Sequence, residues 1–134
     1  MTEMTRTEVI LRLSTTDQVS FKGVNLSGID LSYAHLSGAP LAGAKLSQAN
    51  LQIANLQAAE LDGADLRGAD LKKANLYQAN LMNADLRDAD LTDANLMQAD
   101  LSNAKISPDQ LDAVRVLQGA TLPDGSVYQQ NKRV

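Results

Sequence analysis

Hydrophobic residues recur at every fifth position through most of this 134-residue chain. Leucine occupies that position without a break from Leu26 to Leu101, and Phe21 and Ile106 extend the series at its two ends. A second apolar register lies two residues before the first, with alanine at every repeat from Ala34 to Ala104. Three larger residues precede those alanines at the same spacing: Val19, Val24 and Ile29. The residue between the registers is Asn or Asp in twelve of eighteen repeats.

A period of five fits neither a regular helix nor a flat strand. Five steps of 100° rotate a helical side chain by a net 140°, which scatters the leucines around the helix. In a strand an odd step places successive leucines on opposite faces. A chain that turns a corner once per repeat can bury them all. Four corners of about 90° then close one coil every twenty residues, with layers about 4.8 Å apart.

The glycines support this register independently. Six of the eight lie two residues after the central hydrophobic residue, where a type II turn requires a positive φ. One column at twenty-residue spacing contains Gly23, Gly43, Gly63, Asn83 and Asn103. We therefore predict positive φ along at least this column.

Individual units resemble a known consensus. Residues 64–68 read ADLRG, residues 74–78 read ANLYQ and residues 94–98 read ANLMQ. They are similar to the A(D/N)LXX motif of the pentapeptide-repeat family, and the ending of the chain resembles that of short cyanobacterial members. The resemblance covers residues 19–107. It implies an all-β solenoid, a right-handed quadrilateral β-helix with four repeats per coil and about 4–5 coils.

The two ends of the coil need caps, because an open solenoid end exposes apolar core. Residues 1–18 form the predicted N-terminal cap, in which Thr5 and Glu8 make a capping box before Val9, Ile10 and Leu13. A capping helix is predicted over 108–118, starting after Ser107 with Pro108 and Gln110, and ending at Gly119. Residues 119–134 are read as a final repeat-like segment and a polar tail.

The composition of the chain limits the classes of function that it can have. The single histidine, His35, occupies a surface position of the repeat, and no cysteine is present. No nucleophile triad, phosphate loop or zinc spacing is found. We expect a non-enzyme with no catalytic, cofactor-binding or metal-binding residues. The first twenty residues lack the apolar core of a signal peptide, so a cytoplasmic, soluble protein is the expectation.

Two surface features are candidates for partner binding. Tyr77 and Met97 share one outward column and Met82 lies around the next corner, which predicts a partner-binding patch. A possible acidic face, able to attract a cation or a basic partner, comprises Asp65, Asp70, Asp85, Asp88, Asp90 and Asp93. The alternative is a solvated face, because neighbouring columns carry bases: Arg67, Arg87, Lys72 and Lys73. The column Asn55, Asn75 and Asn95 either forms an amide ladder or satisfies backbone groups.

These features favour a structural scaffold that binds a still unidentified protein partner. The alternative is a DNA mimic that regulates or protects DNA gyrase, as some family members do. The net charge of −4 agrees loosely with it. Direct nucleic-acid binding is not expected, because the chain lacks a basic surface bearing aromatic residues, and no membrane contact is expected. We expect a monomer or an end-to-end homodimer.

Overall fold

A computed structural model describes residues 4–15 and 20–129. Two helices flank the repeats: α1, Arg6–Leu13, and α2, Pro108–Ala113. Between them the described chain forms no strand longer than a single bridge. Parallel bridges instead join residues twenty apart, from Asn25↔Lys45 to Asp85↔Lys105. The twenty-residue stacking that the period predicts is thereby confirmed.

Each layer is joined to the next by the same backbone pairing. The Leu36 N–H donates to the Asn55 carbonyl at 2.7 Å, and the Asn55 N–H donates back to the Ala34 carbonyl at 2.9 Å. This exchange recurs around the coil. Because the backbone polar groups are satisfied between layers, the side chains of the two apolar registers are free to pack inside.

The core is a column of leucine and alanine. The leucines from Leu26 to Leu101 are at most 2% exposed, and the alanines of the second register are at most 7% exposed. Among the described residues no polar or charged side chain is buried. Alanine at the second register lets the chain turn its corner without overfilling a close-packed layer.

The corners share one backbone geometry. Every fifth residue from Gly23 to Asn103 has φ between +56° and +70°. The prediction for the glycine column is confirmed, but positive φ extends to all columns, because each corner turns in the same way. Tyr33 and Ile53 adopt it too, at φ 61° and 58°. For a β-branched residue such as Ile53 this region is strained.

The N-terminal end carries the predicted capping box. Thr5 accepts from the Glu8 N–H, and the Glu8 side chain accepts from the Thr5 N–H. Val9 is fully buried against the first coil. Arg6 donates from Nη1 to the Asp30 carbonyl at 2.9 Å and from Nη2 to the Ser32 carbonyl at 2.8 Å. One guanidinium thus supplies two N–H groups that a preceding layer would otherwise provide.

The C-terminal helix is shorter than predicted. The Ser107–Gln110 capping box is present, but α2 ends at Ala113, not at residue 118. Val114 is extended, and the Arg115 N–H donates to the Ala94 carbonyl at 2.8 Å. The predicted helix end at Gly119 is wrong. The helix stops six residues before it, because the backbone there forms hydrogen bonds with the last layer instead of within the helix.

After α2 the chain returns to the coil with an offset of one residue. Thr121 bridges Asp100, twenty-one residues earlier. Gly119, at φ 75°, takes the corner conformation of this final repeat. The Gln110 side-chain amide donates to the Leu86 and Ala89 carbonyls at 2.6 and 2.9 Å. This side chain thereby replaces a hydrogen bond between layers that is lost where the chain forms α2.

The described chain ends by folding back on itself. Val127 pairs antiparallel with Thr121, and the Tyr128 N–H donates to the Ala120 carbonyl at 2.8 Å. This hairpin covers part of the last edge, a protection that solenoids need. Within the predicted segments 1–18 and 119–134, residues 1–3, 16–18 and 130–134 lie outside the described residues, as does Val19. No helix of the described chain is long and apolar enough to span a bilayer.

Candidate interaction surfaces

The Asn and Asp side chains between the two apolar registers build the turns. Each of the twelve accepts the backbone N–H two residues later; for example, Asn75 Oδ1 accepts from Tyr77 at 3.1 Å. The other acceptors are Asn25, Asp30, Asn50, Asn55, Asp65, Asp70, Asn80, Asp85, Asp90, Asn95 and Asp100. A short carboxylate or amide oxygen suits this local bond. Asn55, Asn75 and Asn95 therefore satisfy backbone groups.

The acidic column of Asp65 and Asp85 is neutralised by arginine. Arg67 makes a two-bond contact with Asp65, at 2.8 Å from Nε and 2.7 Å from Nη2. Arg87 repeats the contact one layer up with Asp85, at 2.9 and 2.6 Å. Arg67 Nε also lies 4.0 Å from Asp85 Oδ2. The arginine hydrogen bonds lower the pKa of Asp65 and lower that of Asp85 to about 2.

The negative charge of the second acidic column, Asp70 and Asp90, is compensated by a lysine at longer distances. Lys72 Nζ lies 3.6 Å from Asp70 Oδ2 and 4.0 Å from Asp90 Oδ2. The Thr92 hydroxyl donates to Asp90 Oδ1 at 2.6 Å, and this bond is the main reason that the pKa of Asp90 is lowered.

Asp88 and Asp93 stand apart from these columns, at exposed corner positions. The six acids therefore do not form one continuous anionic face. In the part of the chain that the structure describes, no three or more His, Cys, Asp or Glu side chains group as a metal site.

Asp85→Asn is expected to lower stability and flatten its pH dependence. Asparagine keeps the turn acceptor but loses the ion pair with Arg87. The folded pKa of about 2 is below the unfolded value of about 3.9. The carboxylate therefore stabilises the protein above about pH 4, and this is lost as the pH falls through about 2. We expect a loss of about 1–2 kcal/mol at pH 7, after allowance for solvent screening of the partly exposed Arg87.

Urea unfolding of both proteins at several pH values between 7 and 2 measures this difference. The two stabilities should converge as the pH approaches 2. Asp85→Ala, which also removes the acceptor for the Arg87 N–H, should cost about 1 kcal/mol more. A constant difference between wild type and Asp85→Asn at all pH values would show that the ion pair is not responsible.

Tyr77, Met82 and Met97, the patch predicted from sequence, are each partly buried. Their backbone N–H groups are held by the Oδ1 atoms of Asn75, Asn80 and Asn95 at 2.9–3.1 Å. Gln78 and Gln98 border the column and are hydrogen-bonded to each other at 3.0 Å. The backbone of the patch is thus held as at the other Asn and Asp repeats, and two amide side chains edge it. All three side chains are also partly exposed, so their role as a partner-binding patch stays a prediction.

Four of the five large hydrophobic side chains that are exposed among the described residues lie at the other end of the molecule. Leu11 is 63% exposed and Tyr33 is 66% exposed. Ile10 and Ile53 are exposed at 36% and 41%. Of the apolar residues of α1, Val9 is buried and Leu13 packs partly against the core, whereas Ile10 stays exposed. His35 is exposed and lines a groove beside α1.

The repeat is matched by a family model. The model for pentapeptide repeats matches in eight copies, over residues 20–56, 49–88 and 79–107. Together these segments span about two-thirds of the chain. The chain belongs to the pentapeptide-repeat family. None of the curated proteins matches it.

Solved pentapeptide-repeat structures are similar to this one. The protein alr5209 from Nostoc PCC 7120 is 29% identical, with 87% of this chain and 99% of that one covered and a TM-score of 0.65. Rfr23 from the cyanobacterium Cyanothece 51142 is 30% identical, with 87% and 69% covered and a TM-score of 0.35. HetL from Nostoc sp. PCC 7120, involved in heterocyst differentiation regulation, is 28% identical, with 84% and 65% covered and a TM-score of 0.40.

Sequence reasoning missed the apolar N-terminal end of this pentapeptide-repeat protein. A signal was present: Tyr33 and Ile53 occupy corner positions that elsewhere hold glycine, alanine or a polar residue. A large apolar side chain at an outward corner cannot reach the core. The contribution of α1 was harder to foresee, because the orientation of a two-turn helix depends on the coil beneath it.

Proposed function

We propose that this pentapeptide-repeat protein is a non-enzymatic scaffold that binds a protein partner through the patch formed by Tyr77 and Met97 on one face and Met82 around the next corner. Its frame is a right-handed quadrilateral β-helix of 4–5 coils, closed at the C-terminal end by α2. The observation that supports the binding face most is its composition: Tyr77, Met82 and Met97 are partly exposed at a repeat position that elsewhere carries alanine or a polar residue. The side-chain acceptors of Asn75, Asn80 and Asn95 hold the three backbones before any partner arrives.

Rigidity matters because binding loses affinity when surface groups must be ordered. A tyrosine and two methionines add apolar contact area to an otherwise polar surface, and such residues are enriched at protein interfaces. The amide pair of Gln78 and Gln98 adds donors and acceptors at the rim. This combination fits a protein surface that has an apolar centre and a polar edge.

The double variant Tyr77→Ser, Met97→Ser tests the proposal. Affinity capture from the native source should recover a partner with the wild-type protein, and calorimetry with the purified partner should show at least about tenfold weaker binding to the variant. Gln52→Ser, on a different face of the coil, is the control and should bind normally. Equal binding by wild type and the double variant would refute the assignment of this face.

The DNA-mimic alternative finds less support in the charge distribution. A mimic needs rows of uncompensated negative charge, whereas Arg67 and Arg87 alternate with Asp65 and Asp85 along the column. Lys72 likewise lies between Asp70 and Asp90. A gyrase supercoiling assay separates the two functions: inhibition, or protection from a gyrase drug, would favour the mimic over the scaffold.

A further inference from the structure

One backbone N–H at the top of the coil has no carbonyl to bind. Each central leucine from Leu26 to Leu101, with the exception of Leu91, donates its N–H to a carbonyl of the next layer. One layer below, the equivalent N–H of Leu71 donates to the Asp90 carbonyl at 2.8 Å. Leu91 is only 1% exposed, and the described chain offers its N–H no acceptor. A buried N–H without an acceptor is costly and rare in folded proteins.

This gap follows from the sequence of the layer above. The alanine register that runs to Ala104 continues at residue 109, which is an aspartate. An unpaired carboxylate among the buried alanines and leucines would be strongly disfavoured. The chain therefore leaves the coil and forms α2, in which Asp109 is exposed. The carbonyl that would accept from the Leu91 N–H leaves the coil with it.

The Gln110 side chain restores only the donor half of the lost pairing. Its amide nitrogen donates to the Leu86 and Ala89 carbonyls at 2.6 and 2.9 Å. Its Oε1 accepts from the Ser107 N–H in the capping box at 2.8 Å. That oxygen is thus already used, and the Leu91 N–H remains a donor in need of an acceptor.

The Leu91 residue lies at a groove between the coil and α2. The groove has a volume of about 780 Å³, and Leu91, Ile106 and Ala113 form apolar parts of its lining. Sites for small organic ligands are typically of this size and combine apolar walls with a few polar groups. A ligand in this groove would supply the acceptor that the layer above does not.

The charged side chains of the lining define the chemistry of such a ligand. Arg87 and Asp90 are compensated by the contacts described above. Lys105, Asp88 and Asp109 also line the groove, and within the described residues they form no ion pair. The two free acids would oppose a simple anion, and a simple cation would leave the N–H without an acceptor. One carboxylate together with two cationic groups matches the donor and all three free charges.

We propose that this groove binds a basic amino acid. Its carboxylate accepts from the Leu91 N–H and is compensated by Lys105, while its α-ammonium group and its cationic side chain face Asp88 and Asp109. The site is built from the top edge of the coil and α2, and none of its lining residues belongs to the patch of Tyr77, Met82 and Met97. It therefore does not rest on the proposed scaffold function, and the two are tested separately.

Amide chemical shifts of the 15N-labelled full-length chain, recorded with L-arginine at constant ionic strength, test the proposal. The Leu91 amide should shift and saturate with a dissociation constant of about 1 mM. The Leu71 amide is the internal control and should not move, because the Asp90 carbonyl already accepts from it.

Two fragments of the ligand test its proposed chemistry. Acetate carries only the carboxylate and agmatine only the two cationic groups, so each should bind at least about tenfold more weakly than L-arginine. A Leu91 amide that does not move up to about 50 mM L-arginine would overturn the proposal. Agmatine or acetate binding as tightly as L-arginine would overturn it as well.

Variants of exposed side chains locate the site without disturbing the core. Lys105→Gln and Asp109→Asn should each weaken L-arginine binding at least about fivefold, because each removes one of the matching charges. Lys45→Gln is the control, since Lys45 lies in the same column as Lys105 but three layers away from the groove, and it should bind like wild type. Wild-type affinity in both Lys105→Gln and Asp109→Asn would refute the assignment.

Discussion

Replacing Leu66 with alanine is expected to lower the free energy of unfolding by about 3–5 kcal/mol. Leu66 is fully buried, and its stacked neighbours Leu46 and Leu86 are fully buried as well. A cavity at this position would lie between two intact layers whose backbones are tied by hydrogen bonds, so the walls cannot collapse into it. The expected cost is therefore at the upper end for a leucine truncation.

Urea or thermal unfolding of purified protein measures this effect. Leu66→Met is the matched variant, because methionine nearly conserves volume and should cost less than about 1.5 kcal/mol. If alanine and methionine cost the same, the loss does not come from the cavity, and the layers would be more deformable than their hydrogen bonding implies.

Replacing Val9 with aspartate is expected to detach α1 from the coil and to cost about 3–5 kcal/mol. Val9 is fully buried against the first layer, and an unpaired carboxylate is strongly disfavoured at such a position. The helix would leave its site before the charge was buried. The cost is thus limited to the loss of the cap contacts, including those of Arg6 with the Asp30 and Ser32 carbonyls.

Hydrogen exchange distinguishes this local effect from a global one. Amides of the first layer, such as Phe21 and Leu26, should lose protection, whereas those of the central layers should keep it, because solenoid layers contact only their neighbours. Val9→Ala is the matched variant and should cost about 1–2 kcal/mol through the lost methyl groups alone. Uniform loss of protection along the coil would show that α1 supports the whole rod.

The repeat region was predictable because each residue there does one job in a repeating geometry. The leucine and alanine registers determine what is inside, and the turn chemistry of Asn, Asp and Gly determines the corners. Local rules of this kind do not depend on distant parts of the chain. The Thr5 and Ser107 capping boxes were predictable for the same reason, since a helix start is encoded within four residues.

The end of α2 could not be predicted in this way. Leu111, Val114 and Leu117 have helical spacing, and Gly119 is a normal helix terminator. The carbonyl of Ala94, twenty-one residues earlier, binds the Arg115 N–H instead. Competition between a helical bond and a layer bond depends on where the previous layer lies, and a local pattern does not contain that position.

The candidate surfaces were likewise predictable only in part. The alternation of acids and bases at twenty-residue spacing was visible in the sequence, and the structure adds the arginine contacts that lower the pKa of Asp65 and Asp85. The exposure of individual side chains was not visible. Tyr77, Met82 and Met97 lie partly against the coil, whereas Leu11 and Tyr33 project from it.

The sequence by itself determined the coil, its register, its buried residues and the family, because a period of five repeated eighteen times leaves one way to bury the leucines. Only the tertiary structure decided how the ends are closed and which surface is open. There the repeat stops, and Arg6, Gln110 and the final hairpin replace missing layers by contacts with residues distant in sequence. The physical reason is that interior packing follows from a local period, while an end depends on everything stacked beneath it.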